Sequence, residues 1–318
     1  MSAVNPSVEA DALPARKPET TPAAKTASWT PYLYAAPVVV YLLVFQAYPL
    51  LQELYLSFTA TSLLEPGQHT FVGVRNYVEL FSAGSFNKVL WITLVYTIGC
   101  VVLAVGIGLG TALLLNTPFR GRGLARSLIT IPWAAPPVAV ALIFIWMYNG
   151  QYGILQQVFQ FLGLSQGMEG WLDTPNRALA AILLTTVWQI FPFASVVILS
   201  ALQGVSSELR EAAVIDGADR LSVFGAVTWP AIRPTVMLLT LFITIWSLRR
   251  FDLIWLMTQG GPIGSTNTLV IELYRRAFTY RELGEAAAVG MVGLSIAFAI
   301  TVFYFRLTLR AERAAGQR

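Results

Sequence analysis

Six long apolar stretches alternate with polar segments along the chain. Each is close to or above the roughly 20 residues that an α-helix needs to span about 30 Å of hydrocarbon. The stretches occupy residues 31–57, 89–115, 127–148, 178–202, 235–257 and 285–307. This pattern predicts an all-α membrane protein with six transmembrane helices.

The composition agrees with a membrane protein. Hydrophobic residues make up 56% of the 318 residues and charged residues only 12%, whereas soluble domains carry roughly 25% charged residues. The single cysteine and the single histidine cannot provide an internal disulfide or a multi-histidine metal site. We therefore expect no metal site in this chain.

The two ends of the chain are polar. Residues 1–28 are rich in Ala, Pro, Thr and charged residues, which is typical of a disordered tail. This segment is too long and too polar to be the first part of a signal peptide, so we expect the first helix to be retained. The predicted membrane domain covers residues 29–308, and a second tail covers residues 309–318.

The distribution of Lys and Arg predicts the orientation in the membrane. The clearest signal is the 116–127 loop, which contains Arg120, Arg122 and Arg126 and no acidic residue. Most other basic residues lie in the tails and in the loop between the fourth and fifth stretches, although the 258–284 loop is a weak opposing signal. Both termini are therefore predicted to be cytoplasmic, and the net charge of +4 does not indicate nucleic-acid binding.

The polar segment 203–234 is long for a connection between two membrane helices. Ser206 and the acidic residues after it predict a short helix with a serine cap. Gly217 is placed to end that helix in a left-handed turn. A second short amphipathic helix is predicted to run to Pro230.

Residues within this segment resemble the EAA loop of ABC-importer permeases. The matching residues are Glu211, Ala212, Ala213, Asp216, Gly217 and Ala218, followed by Phe224 and Pro230. In that family the loop forms a coupling helix that docks in a cleft of a cytoplasmic ATPase subunit. The resemblance therefore implies that the first six residues couple this chain to an ATPase. Ser206 stands where the family usually has proline, so we expect altered helix entry without loss of docking.

A second motif narrows the resemblance. Residues 250–262 and the pair Ser265-Thr266 resemble the FD…TxGGP…ST signature of the first permease subunit in carbohydrate importers of the maltose and glycerol-phosphate type. Residues 132–137 and 284–288 fit the same family. Together the motifs imply the type I ABC importer permease fold over about residues 31–307.

One half of such an importer is missing from the sequence. No GxxxxGK[ST] phosphate-binding loop occurs, so we expect no cofactor in this chain, and ATP with Mg²⁺ to be used by a separate subunit. The resemblance implies a cytoplasmic ATPase dimer, a second homologous permease, and a periplasmic or lipid-anchored solute-binding protein as partners. It places the complex in the lipid of the cytoplasmic (inner) membrane.

Polar side chains in membrane helices are expected to face a cavity. In the fourth stretch, Thr185 and Gln189 lie one turn apart, close to Trp188 and Phe191. Pro192 removes a backbone hydrogen bond, which can open a helix beside a cavity. Aromatic faces, amides and hydroxyls are what sugar recognition needs, so these residues are pathway candidates. The alternative is helix–helix hydrogen bonding beside an interfacial aromatic residue.

The fifth stretch contains Arg249, Arg250 and Asp252. A charge near the middle of a membrane helix costs about 2.5–3.5 kcal/mol on insertion scales, so these groups should face protein or water. Arg249 and Asp252 are three residues apart and suited to an internal ion pair at an outer gate. Alternatively, an arginine binds an anionic solute such as a phosphorylated, sulfonated or acidic sugar.

The resulting hypothesis is a permease subunit of an ATP-driven, binding-protein-dependent carbohydrate importer, and not an enzyme. An importer for an anionic sugar derivative is one alternative. A secondary transporter is another, although it needs mid-membrane carboxylates and usually internal repeats. A membrane enzyme is disfavoured, because His69 and Cys100 cannot form a catalytic constellation together.

Overall fold

The computed structural model describes residues 29–65, 67–164 and 169–316. The predicted N-terminal tail lies outside the described residues. Within these residues, five single helices are long and apolar enough to cross a membrane, and one bent helix pair raises the number to as many as six. This number agrees with the six predicted spans.

The described chain begins with a largely apolar helix. It comprises α1 (Thr30–Leu42), a π-helical segment (Leu43–Ala47) and α2 (Tyr48–Leu56). A first compact unit ends at Leu50 and a second begins at Leu51. The apolar side chains of residues 32–56 suit a lipid environment.

Short elements follow the first span. Strands β1 (Thr59–Ala60) and β2 (Thr70–Phe71) pair antiparallel, with Thr59 opposite Phe71. Helix α3 (Arg75–Ser82) packs beside them. The buried Asn76 amide donates hydrogen bonds of 2.9 Å to the carbonyls of Ser57 and Thr59, and thereby ties α3 to the end of the first span.

Helices α4 (Ser85–Asn116) and α8 (Pro175–Gln203) form the most extensive helix pair of the second unit. Gly108 of α4 lies directly against Ala194 of α8, where a side chain would clash. The GxxxG spacing of Gly106 and Gly110, with Gly108 between them, predicts close helix packing. Within the described residues Gly108 makes this contact, while Gly106 and Gly110 face open space.

The third span is broken. Helices α5 (Arg122–Ala134) and α6 (Pro137–Met147) meet at an angle of 94°. Ala135 and Pro136 are extended between them, because proline disfavours the helical conformation in the residue before it and lacks a backbone N–H. The prediction of one continuous helix over residues 127–148 is therefore wrong. Helix α7 (Ile154–Phe161) follows.

The loop between the fourth and fifth spans contains α9 (Ser207–Ile215) and α10 (Arg220–Val223). A π-helical segment (Phe224–Thr228) joins α10 to α11 (Trp229–Leu248), so that residues 220–248 form one long helix. The predicted separate helix ending at Pro230 is thus wrong. Pro230 lies inside this long helix, directly after the π-helical segment.

The fifth span ends earlier than predicted. Helix α11 stops at Leu248, and α12 (Asp252–Thr258) begins after an interruption at residues 249–251. The prediction of a helix through residue 257 is wrong, because the chain breaks at its charged residues. The break turns these charges toward a cavity instead of lipid.

The last part of the chain contains α13 (Leu269–Tyr274), a π-helical segment (Arg275–Thr279) and α14 (Leu283–Gly316). Arg276 forms ion pairs with Glu272, at 2.7 Å, and with Glu285. The charge of Arg276 is thereby neutralised within the protein.

Candidate functional site

A cavity of about 570 Å³ opens where the breaks of the third and fifth spans meet the middle of α8. This volume lies within the range of small-molecule sites. Its lining combines charged, amide, aromatic and backbone groups. The lining residues are Trp133, Ala135, Pro137, Gln189, Ile190, Trp246, Arg249, Arg250, Phe251 and Asp252.

Arg250 connects the two helix breaks. Its Nε lies 2.8 Å from Oδ1 of Asp252, and its Nη2 donates a hydrogen bond to Oε1 of Gln189. The Nε–Oδ1 contact is a charge contact without the alignment of a hydrogen bond. The amide Nε2 of Gln189 in turn donates to the carbonyl of Ala135 at 3.0 Å. Gln189 therefore fixes the open backbone of the third span against the fifth.

The partner of Asp252 differs from the predicted one. Arg250, not Arg249, pairs with this carboxylate, because the helix ends before residue 249 and the helical spacing of three residues does not apply. Arg249 is exposed in the cavity, and its guanidinium has neither a hydrogen bond nor an ion pair with any described residue. The three charged lining residues leave the cavity with one excess positive charge.

Aromatic rings form one wall of the cavity. The ring of Trp133 stacks on Phe193 with centroids 5.5 Å apart, and Phe193 lies 5.1 Å from Trp246. Both tryptophans are partly exposed. Sequence reasoning missed Trp133 and Trp246 as site residues, although the proline-rich motif 132–137 was a signal that the backbone opens beside Trp133.

The predicted pathway residues divide into two groups. Gln189, Arg249 and Asp252 line the cavity, whereas Thr185, Trp188 and Phe191 do not. The fully buried Thr185 donates to the carbonyl of Ala181 at 2.9 Å.

Trp188 packs on the ring of Phe144 of α6, with centroids 5.1 Å apart, and Phe191 is half-buried. Thr185 and Trp188 thus take part in helix packing, which was the alternative interpretation of these residues. Pro192 is buried inside α8, which continues past it.

The second candidate site is the loop around α9. The Ser206 hydroxyl accepts a hydrogen bond of 3.4 Å from the N–H of Leu209, and Gly217 has φ +85°. The predicted serine cap and left-handed turn are both confirmed. The Asp219 carboxylate caps α10 by accepting from the N–H of Ser222 at 2.9 Å. Hydrogen bonding by the Ser222 hydroxyl, and next by this N–H, lowers the pKa of Asp219.

The outer face of α9 is apolar and uncovered. Leu209, Val214 and Ile215 are each more than half exposed. A shallow groove runs along Ser207, Arg210, Glu211, Val214 and Ile215. Ala212, Asp216 and Gly217 are also exposed, while Ala213 and Ala218 are half-buried. The carboxylate of Glu211 forms no ion pair or hydrogen bond with any described residue and is free for a partner.

Other reactive side chains serve packing. Cys100 is fully buried in the helix core, and Nδ1 of His69 lies 3.0 Å from the Thr61 hydroxyl. Among the described residues, no group of three or more His, Cys, Asp or Glu is arranged to hold a metal ion.

Comparison with known proteins gives consistent matches. Residues 103–313 match the family model described as "Binding-protein-dependent transport system inner membrane component". The sulfoquinovosyl glycerol transport system permease protein SmoG of Agrobacterium fabrum is 35% identical over 86% of this chain and 89% of its own length. The trehalose/maltose transport system permease protein MalF of Thermococcus litoralis is 33% identical over 87% and 92%.

A solved structure shares the fold. A chain of a bacterial ABC transporter involved in the import of the acidic polysaccharide alginate superposes with a TM-score of 0.76 at 21% sequence identity. The match covers 89% of this chain and 96% of that one. The predicted all-α fold of a type I ABC importer permease is therefore confirmed.

Proposed function

The chain belongs to the family of binding-protein-dependent transport system inner membrane components, and on that premise we propose that it is one of two permease subunits of a carbohydrate importer. As a member of this family it is a transport permease of the inner membrane and not an enzyme. The relatives named above transport sulfoquinovosyl glycerol and trehalose or maltose. Carbohydrate is what their solutes have in common.

The observation that carries the carbohydrate assignment is the composition of the larger cavity. Trp133 and Trp246 offer flat apolar faces to a sugar ring, while the Gln189 amide and Arg249 offer groups that bind hydroxyls or acidic substituents. Such a combination of aromatic faces and a few directed polar groups suits a polar ring compound better than a metal ion or a lipid chain.

The coupling loop supports an ATPase partner. The exposed apolar side chains of α9 and the free carboxylate of Glu211 form a surface whose burial would be favourable. We assign Glu211, Ala212, Ala213, Asp216, Gly217 and Ala218 to docking on a cytoplasmic ATPase dimer that uses ATP and Mg²⁺. With α9 on the cytoplasmic side, we propose that both termini and the 116–127 loop are cytoplasmic as well.

The remaining partners follow from the family. A second permease would close the side of the cavity that this chain leaves open, and a solute-binding protein would deliver the sugar from outside. ATP-driven closure of the ATPase dimer would move α9, and rotation of the helices would expose the cavity alternately to each side. A secondary transporter is less suitable, because Asp252 is paired with Arg250 and is not a free ion-coupling carboxylate.

The proposal is tested by reconstituting the full importer with its binding protein in vesicles. Glu211→Lys and Gly217→Pro should each abolish ATP-driven sugar uptake, because one reverses a charge in the docking groove and the other is incompatible with φ +85°. Membrane insertion should be normal in both. The matched control is Glu65→Lys, an identical charge change on an exposed residue before β2. Wild-type uptake in the Glu211 and Gly217 variants would contradict the coupling role.

A further inference from the structure

A smaller pocket lies between α5 and α8, toward the end of α8 that leads to α9. It holds about 200 Å³. Arg126 of α5 and Ser195, Ser200 and Gln203 of α8 supply its polar lining, and no acidic residue lines it. Neither the coupling loop nor the larger cavity includes these residues.

Two buried polar groups in this pocket have no partner. Nε and Nη2 of Arg126 are inaccessible to solvent and form no hydrogen bond within the described residues. The hydroxyl of Ser195, a residue with 0% exposure, is also unpartnered there. Because buried donors without acceptors are costly, these groups indicate that a ligand oxygen completes the pocket.

The pocket and the larger cavity share one stripe of α5 and lie on overlapping parts of α8. On α8, Ser200 and Gln203 follow Gln189 and Phe193 along one stripe, at intervals of three, four or seven residues, whereas Ser195 lies on the neighbouring face. On α5, Arg126, Ile129 and Trp133 recur in the same way. Ser200 lies 11 residues beyond Gln189, or about 16 Å along the helix axis. The pocket is therefore the next polar position along the surface that lines the cavity.

We propose that the Arg126 pocket is a second anion-binding station on the translocation pathway, and that the solute is a sugar carrying a carboxylate, sulfonate or phosphate group. The inference rests on the proposed function. Arg249 is the first anion-binding site on this pathway, because it faces the cavity without an acidic partner. Arg126 is the second, where guanidinium donors and the Ser195 hydroxyl bind the same oxyanion after the inner side opens.

An oxyanion in this pocket has a second source, the phosphate of an anionic membrane lipid. The position on the cavity-lining stripe favours the solute. The two sources are distinguished by comparing the full importer in pure phosphatidylcholine nanodiscs with the importer in nanodiscs that contain phosphatidylglycerol.

The first experiment measures oxyanion binding directly. The full importer is heated in sodium sulfate and in sodium chloride at equal ionic strength, with Arg126→Gln as the test variant. Arg122→Gln is the matched control, because it removes the same charge one turn away on α5 and outside the pocket. Sulfate should raise the thermal midpoint of the wild type and of Arg122→Gln by more than that of Arg126→Gln, and Arg126→Lys should be intermediate. Equal shifts in all four proteins would overturn the proposal. A sulfate effect that disappears in nanodiscs containing phosphatidylglycerol would also overturn the proposal, because the lipid would then occupy the pocket.

The second experiment measures uptake of three glycosides that differ in one group: glucosylglycerol, glucuronosylglycerol and sulfoquinovosyl glycerol. We expect uptake of acidic members only, slowed roughly ten- to hundredfold by Arg126→Gln and unchanged by Arg122→Gln. Uptake of glucosylglycerol at a rate independent of Arg126 would overturn the inference but leave the carbohydrate importer intact. If none of the three glycosides were taken up with ATP and the sulfate shifts were equal, both this inference and the proposed carbohydrate importer would be contradicted.

Discussion

Two adjacent arginines have opposite surroundings in this protein. Arg250 is 16% exposed in its side chain and contacts both Asp252 and Gln189, whereas Arg249 is exposed and unpaired within the described chain. The sequence cannot separate them, because both are basic and they are neighbours within the predicted fifth stretch. Only the end of α11 at Leu248 decides which one turns toward the carboxylate.

Arg250→Gln should therefore destabilise the protein, while Arg249→Gln should not. Removing one partner of a buried ion pair costs about 3–5 kcal/mol, and partial exposure of Asp252 reduces this to about 1–2 kcal/mol. The thermal midpoint of the purified complex should fall by a few degrees in Arg250→Gln only. If Arg249→Gln were the more destabilised variant, the assignment of the ion pair would be wrong.

At the scale of elements, prolines and glycines act according to what surrounds them. Pro136 and Pro137 break the third span, whereas Pro192 and Pro234 lie inside helices that continue. In a proline pair both residues lack a backbone N–H, and the second proline disfavours the helical conformation in the first. A helix accommodates a single proline by bending.

The double variant Pro136→Ala, Pro137→Ala should restore helical preference at the break. The Ala135 carbonyl would then return to helix hydrogen bonding and leave Gln189. We expect loss of sugar uptake with normal assembly, measured in vesicles and by size exclusion. Pro234→Ala, at an exposed position inside the continuing helix α11, is the control and should retain uptake. Full activity of the double variant would show that the break is not required.

The glycines of α4 allow a matched test of helix packing. Gly108→Val should clash with Ala194 and lower stability by about 1–3 kcal/mol, measured as lower yield and thermal midpoint. Gly106→Val, two residues away and facing open space, should leave the fold of this chain unchanged. The reverse order of effects would contradict the observed face of α4.

At the scale of the whole molecule, features that depend on neighbouring residues were mostly predictable from the sequence, and features that depend on long-range packing were not. The spans, the Ser206 cap and the Gly217 turn were predictable, because they depend on hydrophobic length and on neighbouring residues. Trp133 and Trp246 were not identified as cavity residues, because the face of a helix that lines a cavity depends on distant packing. The break at residues 249–251 was missed because no glycine or proline marks it.

The exposed face of α9 gives a prediction for the complete importer. Cysteine introduced by Glu211→Cys should crosslink to the ATPase subunit, and Cys100 should not compete because it is fully buried. The crosslink should appear in vesicles that contain the whole complex and be identified by mass spectrometry. Crosslinks formed only to lipid or to the second permease would exclude α9 as the docking element.

The unbroken helix Arg220–Leu248 has a mechanical consequence. It is about 40 Å long at 1.5 Å per residue, with the capped end at Asp219 beside the coupling loop and the far end beside Arg249. If the proposed ATPase displaces the coupling loop, this helix would carry the displacement directly to the residues that line the cavity. Its π-helical segment and its two prolines are the places where it can bend.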